Sequence, residues 1–142
     1  MIRPALDAFS WRPWDAEDDL ARQRRGLVVA LASRFLRTDS DVVAEARALY
    51  TEWIAGLRAA LPDDMKSSVF KIVLANAEGT TEYRRLRRLA RDTGTPQAER
   101  LSIYASLGAA KGDKLRLQTL AMALGGRGGV RLQDVMYPVQ SV

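Results

Sequence analysis

The 142-residue chain contains no cysteine and no histidine. Without thiols it forms no disulfide, no thiolate zinc site and no cysteine nucleophile. Without imidazole it lacks the His-based triad, the His-ligated zinc site and the usual general base of neutral pH. These two absences exclude most hydrolase and metalloenzyme designs. Long apolar runs are missing too: none approaches the ~18 residues of a membrane span, and Met1-Ile2-Arg3-Pro4 has no apolar signal core. A cytoplasmic protein with no membrane partner is the expectation.

What is present is ordinary for a globular domain, with 47% hydrophobic and 27% charged residues. One domain is expected, and a chain of this size buries roughly 68–70% of its unfolded surface, enough for a core without staples. The balance of 22 Lys+Arg against 17 Asp+Glu gives a net charge of +5. Such a basic chain is drawn to polyanions, but the excess is modest, and nucleic acid is not the expected partner.

Helical periodicity broken by short turn signals dominates the pattern. Residues 1–14, with Pro4, Phe9, Trp11, Pro13 and Trp14, read as an irregular lead-in. A first helix is predicted from Asp15 to Leu36, with Leu20, Leu27, Val28, Leu31 and Phe35 inward and acidic residues crowding its first turn. Thr38-Asp39-Ser40-Asp41 caps a second, to Ala60, with Val42, Ala46, Leu49, Tyr50, Trp53 and Leu57 on one stripe. Pro62 opens a third as a first-turn proline, with Val69, Ile72, Val73 and Asn76 aligned, and Gly79 stops it. A fourth spans 81–92, with Tyr83, Leu86, Leu89 and Ala90 inward and Gly94 after it. A fifth runs from Thr95-Pro96 to Ala110. A sixth follows Gly112-Asp113 and carries Leu117, Leu120, Ala121 and Leu124. Gly125 to Gly129 read as a flexible loop, and a last short helix starts near Val130 and meets Pro138. No segment alternates as a strand does. The expected fold is all-α: an irregular α-solenoid of antiparallel helix hairpins, HEAT- or armadillo-like, of about seven helices over residues 15–137.

Candidate chemistry is thin. Arg84, Arg85, Arg87, Arg88 and Arg91 form the densest basic run, a phosphate-binding stripe or the solvated face of an amphipathic helix. No aromatic residue interleaves with these arginines to stack on bases, so the solvated face is expected. Gly125-Gly126-Arg127-Gly128-Gly129 lacks the lysine and preceding strand of a phosphate loop. Asp18-Asp19 and Asp63-Asp64 are neighbours that share no helix face, and capping accounts for them. Trp53 belongs to the core, whereas Trp11 and Trp14 either cap the core or meet a neighbouring domain. Arg131-Leu132-Gln133-Asp134 could cap helices, bridge neighbours or meet a ligand, and capping is expected. No residue qualifies as catalytic, cofactor-binding or metal-ligating.

The order of several short stretches resembles the C-terminal helical domain of the zinc metallo-aminopeptidases, the group containing puromycin-sensitive, alanyl and endoplasmic reticulum aminopeptidases. Phe9-Ser10-Trp11 stands where that family has Leu-Gly-Trp. Glu45-Ala46-Arg47-Ala48-Leu49-Tyr50 and then Trp53 match its Glu-Ala-Arg-x-Leu-aromatic…Trp helix. Leu61-Pro62-Asp63-Asp64-Met65-Lys66 and Val69-Phe70 match the next. Gln97-Ala98-Glu99-Arg100, Leu107-Gly108, Asp113, Leu120 and Val130-Arg131-Leu132-Gln133-Asp134 continue the series over nearly the whole chain.

The resemblance implies a non-catalytic part of a larger enzyme. Its zinc, held upstream by His-Glu-x-x-His and a distal Glu, is expected in the parent enzyme; the family's Gly-x-Met-Glu-Asn stretch is likewise not in this sequence, and no cofactor is expected here. The implied partners are the catalytic domain of the same polypeptide and, in the parent enzyme, a peptide substrate in a chamber that the helical domain encloses. The family's domain runs on past Val142, so this chain reads as a fragment whose solenoid ends can self-associate through exposed apolar surface. The alternative is a standalone helical adaptor that binds nucleic acid or protein through its Arg-rich face.

Overall fold

In the computed structural model, which describes residues 2–8, 10–125 and 130–142, the chain opens with a short helix, α1 (Ile2–Ala8). The lead-in expected to be irregular is therefore helical in its first half. Pro4 fits because it lies in the first turn, where a missing N–H forfeits no intrahelical bond. Arg3 of α1 is bonded to both Asp39 and Asp41. Arg12 forks onto Glu52 at 2.8 and 2.6 Å, so the lead-in is tied down at two points.

Carboxylate caps start the next two helices. Asp18 accepts from the Ala21 N–H at 2.6 Å and begins α2 (Asp19–Phe35). That is later than the predicted start at Asp15, because Ala16 takes a left-handed φ of 65° that no helix accommodates. Asp39 accepts from Asp41 and Val42 and begins α3 (Ser40–Ile54). This helix stops short of the predicted Ala60, because Gly56 has φ 102° and a single 3-10 turn follows over Arg58–Ala60. Pro62 is the cap of α4 (Asp63–Ala75) and not its first helical residue. Then come α5 (Thr81–Arg91), α6 (Gln97–Leu107) and α7 (Asp113–Leu124). After a 3-10 turn at Leu132–Asp134, α8 (Met136–Ser141) carries Pro138 within its first turn, where the last helix was expected to meet it as a stop. No strand occurs among the described residues, and the all-α expectation holds.

The even-numbered helices pack each on the next, α2 on α4, α4 on α6 and α6 on α8, while α3, α5 and α7 each pack on the helix that follows. The centre is α4, whose Met65, Val69, Phe70, Ile72, Val73 and Leu74 are all buried. Trp53 and Tyr50 of α3 meet Phe70 there, with ring centroids 4.9 and 6.1 Å away.

Two helices bury a face other than the one expected. In α2 the predicted inward residues Leu20, Leu27, Leu31 and Phe35 are exposed and Val28 only partly covered. The buried residues are Arg25, Gly26, Val29, Ala32 and Ser33. At about 3.6 residues per turn these two sets lie on opposite sides of the helix. The small residues win because they let α4 approach closely: a Cβ on Gly26 would lie 2.7 Å from an Asp64 carboxylate oxygen. In α7, Leu117, Ala121 and Leu124 are likewise exposed, and Leu115, Thr119, Met122 and Ala123 are buried. The stripe expected in α3 is correct through Trp53, but Leu57 lies beyond the helix end and is exposed.

Gly108, just past α6, seats the last helix. Its N–H donates to the Ser141 hydroxyl at 2.9 Å, and a Cβ would lie 2.3 Å from the Ser141 and Val142 backbone. Gly108→Ala is expected to push α8 off its seat and to cost about 1–3 kcal/mol, the usual range for overpacking. Urea unfolding followed by circular dichroism checks this, and an unchanged midpoint would contradict the close approach.

Candidate functional surfaces

Helix α5 is strongly amphipathic. Tyr83, Leu86 and Ala90 are buried, whereas Arg84, Arg85, Arg88 and Arg91 are exposed and Arg87 and Leu89 half-buried. None of the five arginines forms an ion pair among the described residues. Their run is the solvated face that the sequence implied. Two cavities open at its edges. One, of about 410 Å³, is lined by Arg84, Lys111, Lys114, Glu78 and Gln118. The other, of about 300 Å³, lies between α3 and α5 and is lined by Arg47, Tyr50, Thr51, Glu82 and Arg85.

The paired carboxylates act as caps and ion-pair partners. Asp18 caps α2, and Asp19 meets Arg22 at 3.3 Å. Asp63 accepts from Lys66 at 2.7 Å, and Asp64 lies beside Gly26. Trp53 is fully buried, Trp11 packs at the core margin and Trp14 is exposed. Of the 131–134 stretch, Asp134 is buried and accepts from the Gln97 amide at 3.2 Å, while Arg131, Leu132 and Gln133 are exposed. Gly126 to Gly129 lie outside the described residues, as does Phe9.

Sequence reasoning missed two buried ion pairs. Arg25 and Glu17 are bonded to each other with both side chains almost wholly covered. Lys66 is held by Glu99 at 2.8 Å, also buried, and Arg58 stacks over Trp53 with its guanidinium carbon 4.6 Å from the ring centroid. The available signal for Arg25 was its angular position among Gly26, Val29 and Ala32.

Burial draws the Lys66 ammonium down, but hydrogen bonds to Asp63 and Glu99 outweigh it and hold its pKa above the ordinary lysine value. Burial pushes Tyr50 from 10.0 up to about 12, against a counter-pull from Arg85, and raises Tyr104 as well. Lys71 is lowered by burial and works in the opposite direction at lower pH. A raised pKa means that the folded state holds its proton after the unfolded chain has lost it, so stability falls as pH rises through that window. Unfolding midpoints are therefore expected to drop between pH 10.0 and about 12, and Tyr50→Phe to flatten part of that drop. Denaturant titrations at several alkaline pH values check this. A flat profile for the unsubstituted chain would contradict it.

Several large apolar side chains stay uncovered. One group is the α2 stripe of Leu20, Leu27, Leu31 and Phe35, with Leu27 61% exposed. The other exposed apolar side chains are Leu117 and Leu124 of α7 and, near the C-terminus, Leu132, Met136 and Tyr137. A lone exposed leucine needs no explanation, but a stripe along a whole helix marks an interaction surface.

The residues do not fit a zinc ion. The sequence has neither His nor Cys, and among the described residues no three potential ligands cluster. No described helix is long and apolar enough to cross a membrane. A family model for the ERAP1-like C-terminal domain matches residues 1–142. No curated protein matches the chain.

Proposed function

The chain belongs to the ERAP1-like C-terminal domain family, the C-terminal domain of aminopeptidase-type proteins, and from that premise we propose that it is the non-catalytic helical domain of a zinc-dependent aminopeptidase. Its work is to pack on the catalytic domain of the same polypeptide and to enclose a peptide chamber, in the cytoplasm. The observation that carries this reading is the α2 stripe: a helix whose small-residue face already packs on α4 presents a second face of large apolar side chains, Leu20, Leu27, Leu31 and Phe35, to solvent. Burial of apolar area is what domain–domain packing gains from. The exposed apolar side chains near the C-terminus are the contact through which separate copies of the chain associate.

The native open reading frame gives the first test, since it is expected to encode His-Glu-x-x-His upstream of this domain. The second uses paired substitutions, Leu27→Glu with Leu31→Glu. In the 142-residue chain these exposed positions should shift stability by only about 0.5 kcal/mol each. In the full-length enzyme they should loosen the domain, seen as faster proteolysis at the junction and lower peptidase activity. The purified chain alone should release no aminoacyl chromophore, and chelator-sensitive release would overturn the reading. The alternative of an adaptor working through the Arg-rich face rests on the unpaired guanidinium groups of α5, and a salt-dependent shift of RNA by the pure chain would favour it.

A further inference from the structure

The cavity between α3 and α5 carries a feature that packing does not explain. Tyr50 is 6% exposed, and its ring packs against Trp53 and Phe70 with centroids 6.1 Å away in both cases. Its hydroxyl is buried and its proton has no acceptor among the described residues. Phenylalanine would make the same aromatic contacts without stranding a desolvated donor. Two arginines, Arg47 and Arg85, line the same cavity. Arg47 of α3 is fixed by one bond, from Nη2 to the Asn76 carbonyl at 2.7 Å, which leaves its other N–H groups uncommitted. Arg85 of α5 has no ion pair among the described residues, and its charge and its hydrogen bond to the Tyr50 oxygen oppose the upward pull of burial on that group. Glu82 lines the same cavity, half-buried, and is an acceptor. Thr51 spends its proton on the Arg47 carbonyl at 2.8 Å, and Ile54 and Val73 complete the wall.

We propose that this cavity binds a phosphate group, with Tyr50, Arg47 and Arg85 donating to its oxygens and Glu82 accepting its remaining proton. The lining distinguishes phosphate from carboxylate. Donors reach the cavity from two helices, which suits an oxyanion with more than two acceptor oxygens. The acceptor Glu82 would repel a carboxylate, which has no proton to offer at neutral pH, whereas hydrogen phosphate has one. Two arginines against one glutamate leave the cavity with a net positive charge, and at neutral pH Tyr50 keeps the proton it must donate. The volume of about 300 Å³ admits inorganic phosphate.

Titration of inorganic phosphate into the 142-residue chain tests this, by calorimetry and by thermal midpoint, with acetate at matched ionic strength as the comparison. Saturable phosphate binding is expected, with no saturable response to acetate. Tyr50→Phe should raise the midpoint of the ligand-free chain and weaken phosphate binding by about tenfold or more, the loss of one hydrogen bond to a charged group. Arg85→Gln, at an exposed position, should weaken it at least as much. Arg84→Gln, which changes the neighbouring cavity and removes the same charge, should leave it intact. The proposal is overturned if phosphate does not saturate, if acetate binds as well, if either Tyr50→Phe or Arg85→Gln keeps full affinity, or if Arg84→Gln loses as much as Arg85→Gln. None of these outcomes bears on packing against a catalytic domain, which the α2 stripe tests separately.

Discussion

Glu17→Ala is expected to destabilise the fold by about 3–5 kcal/mol, the cost of stripping one partner from a buried ion pair. The Arg25 side chain is 1% exposed and that of Glu17 is 4% exposed, so neither charge is reached by bulk water. Arg25 lies on the inward side of α2, between that helix and α4, and Glu17 descends on it from the turn before Asp18. Even with Glu17 in place, the Nε and Nη2 groups of Arg25 have no partner, so the guanidinium has no second acceptor to fall back on. Removing the carboxylate leaves a full charge in a low-dielectric site, and α2 must move for water to reach it. A charge-free double variant, Glu17→Ala with Arg25→Met, should recover most of the loss, because it removes the stranded charge and keeps an apolar side chain of similar length. Urea denaturation of the three proteins checks both statements. A loss under about 1 kcal/mol for the single variant would mean that the pair is solvated and of the weak surface kind.

That pair also shows where the sequence was legible and where it was not. The capping carboxylate Asp39 could be read directly, because a cap needs only an acidic residue beside a helical pattern, whereas Asp18 sits among several acidic residues and the pattern alone placed the helix start earlier, at Asp15. Helix α5 was legible to within a residue, since its five arginines leave only one face for a core to claim. Helices α2 and α7 were misread because each has two apolar faces. Periodicity favours the face with larger side chains, but close helix packing buried the face with Gly26, Ala32 and Ser33, and leucines went to solvent. A long charged residue inside such a small-residue face reads as exposed until its angular position is counted, which is how Arg25 escaped notice. The resemblance to an aminopeptidase helical domain rested on ordered short stretches, most of them at helix starts and on α3 and α4, where packing leaves least freedom. The cavity at Tyr50 was not legible. Its three charged groups come from two helices that are distant in sequence, and nothing along the chain says that a core tyrosine keeps a hydroxyl proton without an acceptor.

Trp53→Ala should cost about 3–5 kcal/mol, comparable to the loss of Glu17 but by another route, a cavity in place of a stranded charge. Trp53 has no exposed surface, and it meets α4 and the 3-10 turn after its own helix. Its ring lies 4.9 Å from Phe70 of α4 and 6.1 Å from Tyr50 of its own helix, while the Arg58 guanidinium covers it at 4.6 Å and the Lys66 ammonium approaches within 6.0 Å. Truncation to alanine therefore empties the junction of α3 and α4 and takes the aromatic floor from under the charges that converge on Glu99. Trp53→Phe separates these effects. It keeps much of the apolar volume, and it also removes an indole N–H that has no partner in the core, so its loss should be well below that of alanine. Unfolding by circular dichroism gives the stabilities without relying on tryptophan emission. Equal losses for alanine and phenylalanine would show that shape at this position matters more than buried volume. A loss under about 1 kcal/mol for alanine would show that α3 and α4 can close the gap, which the density of large buried side chains around Phe70 argues against.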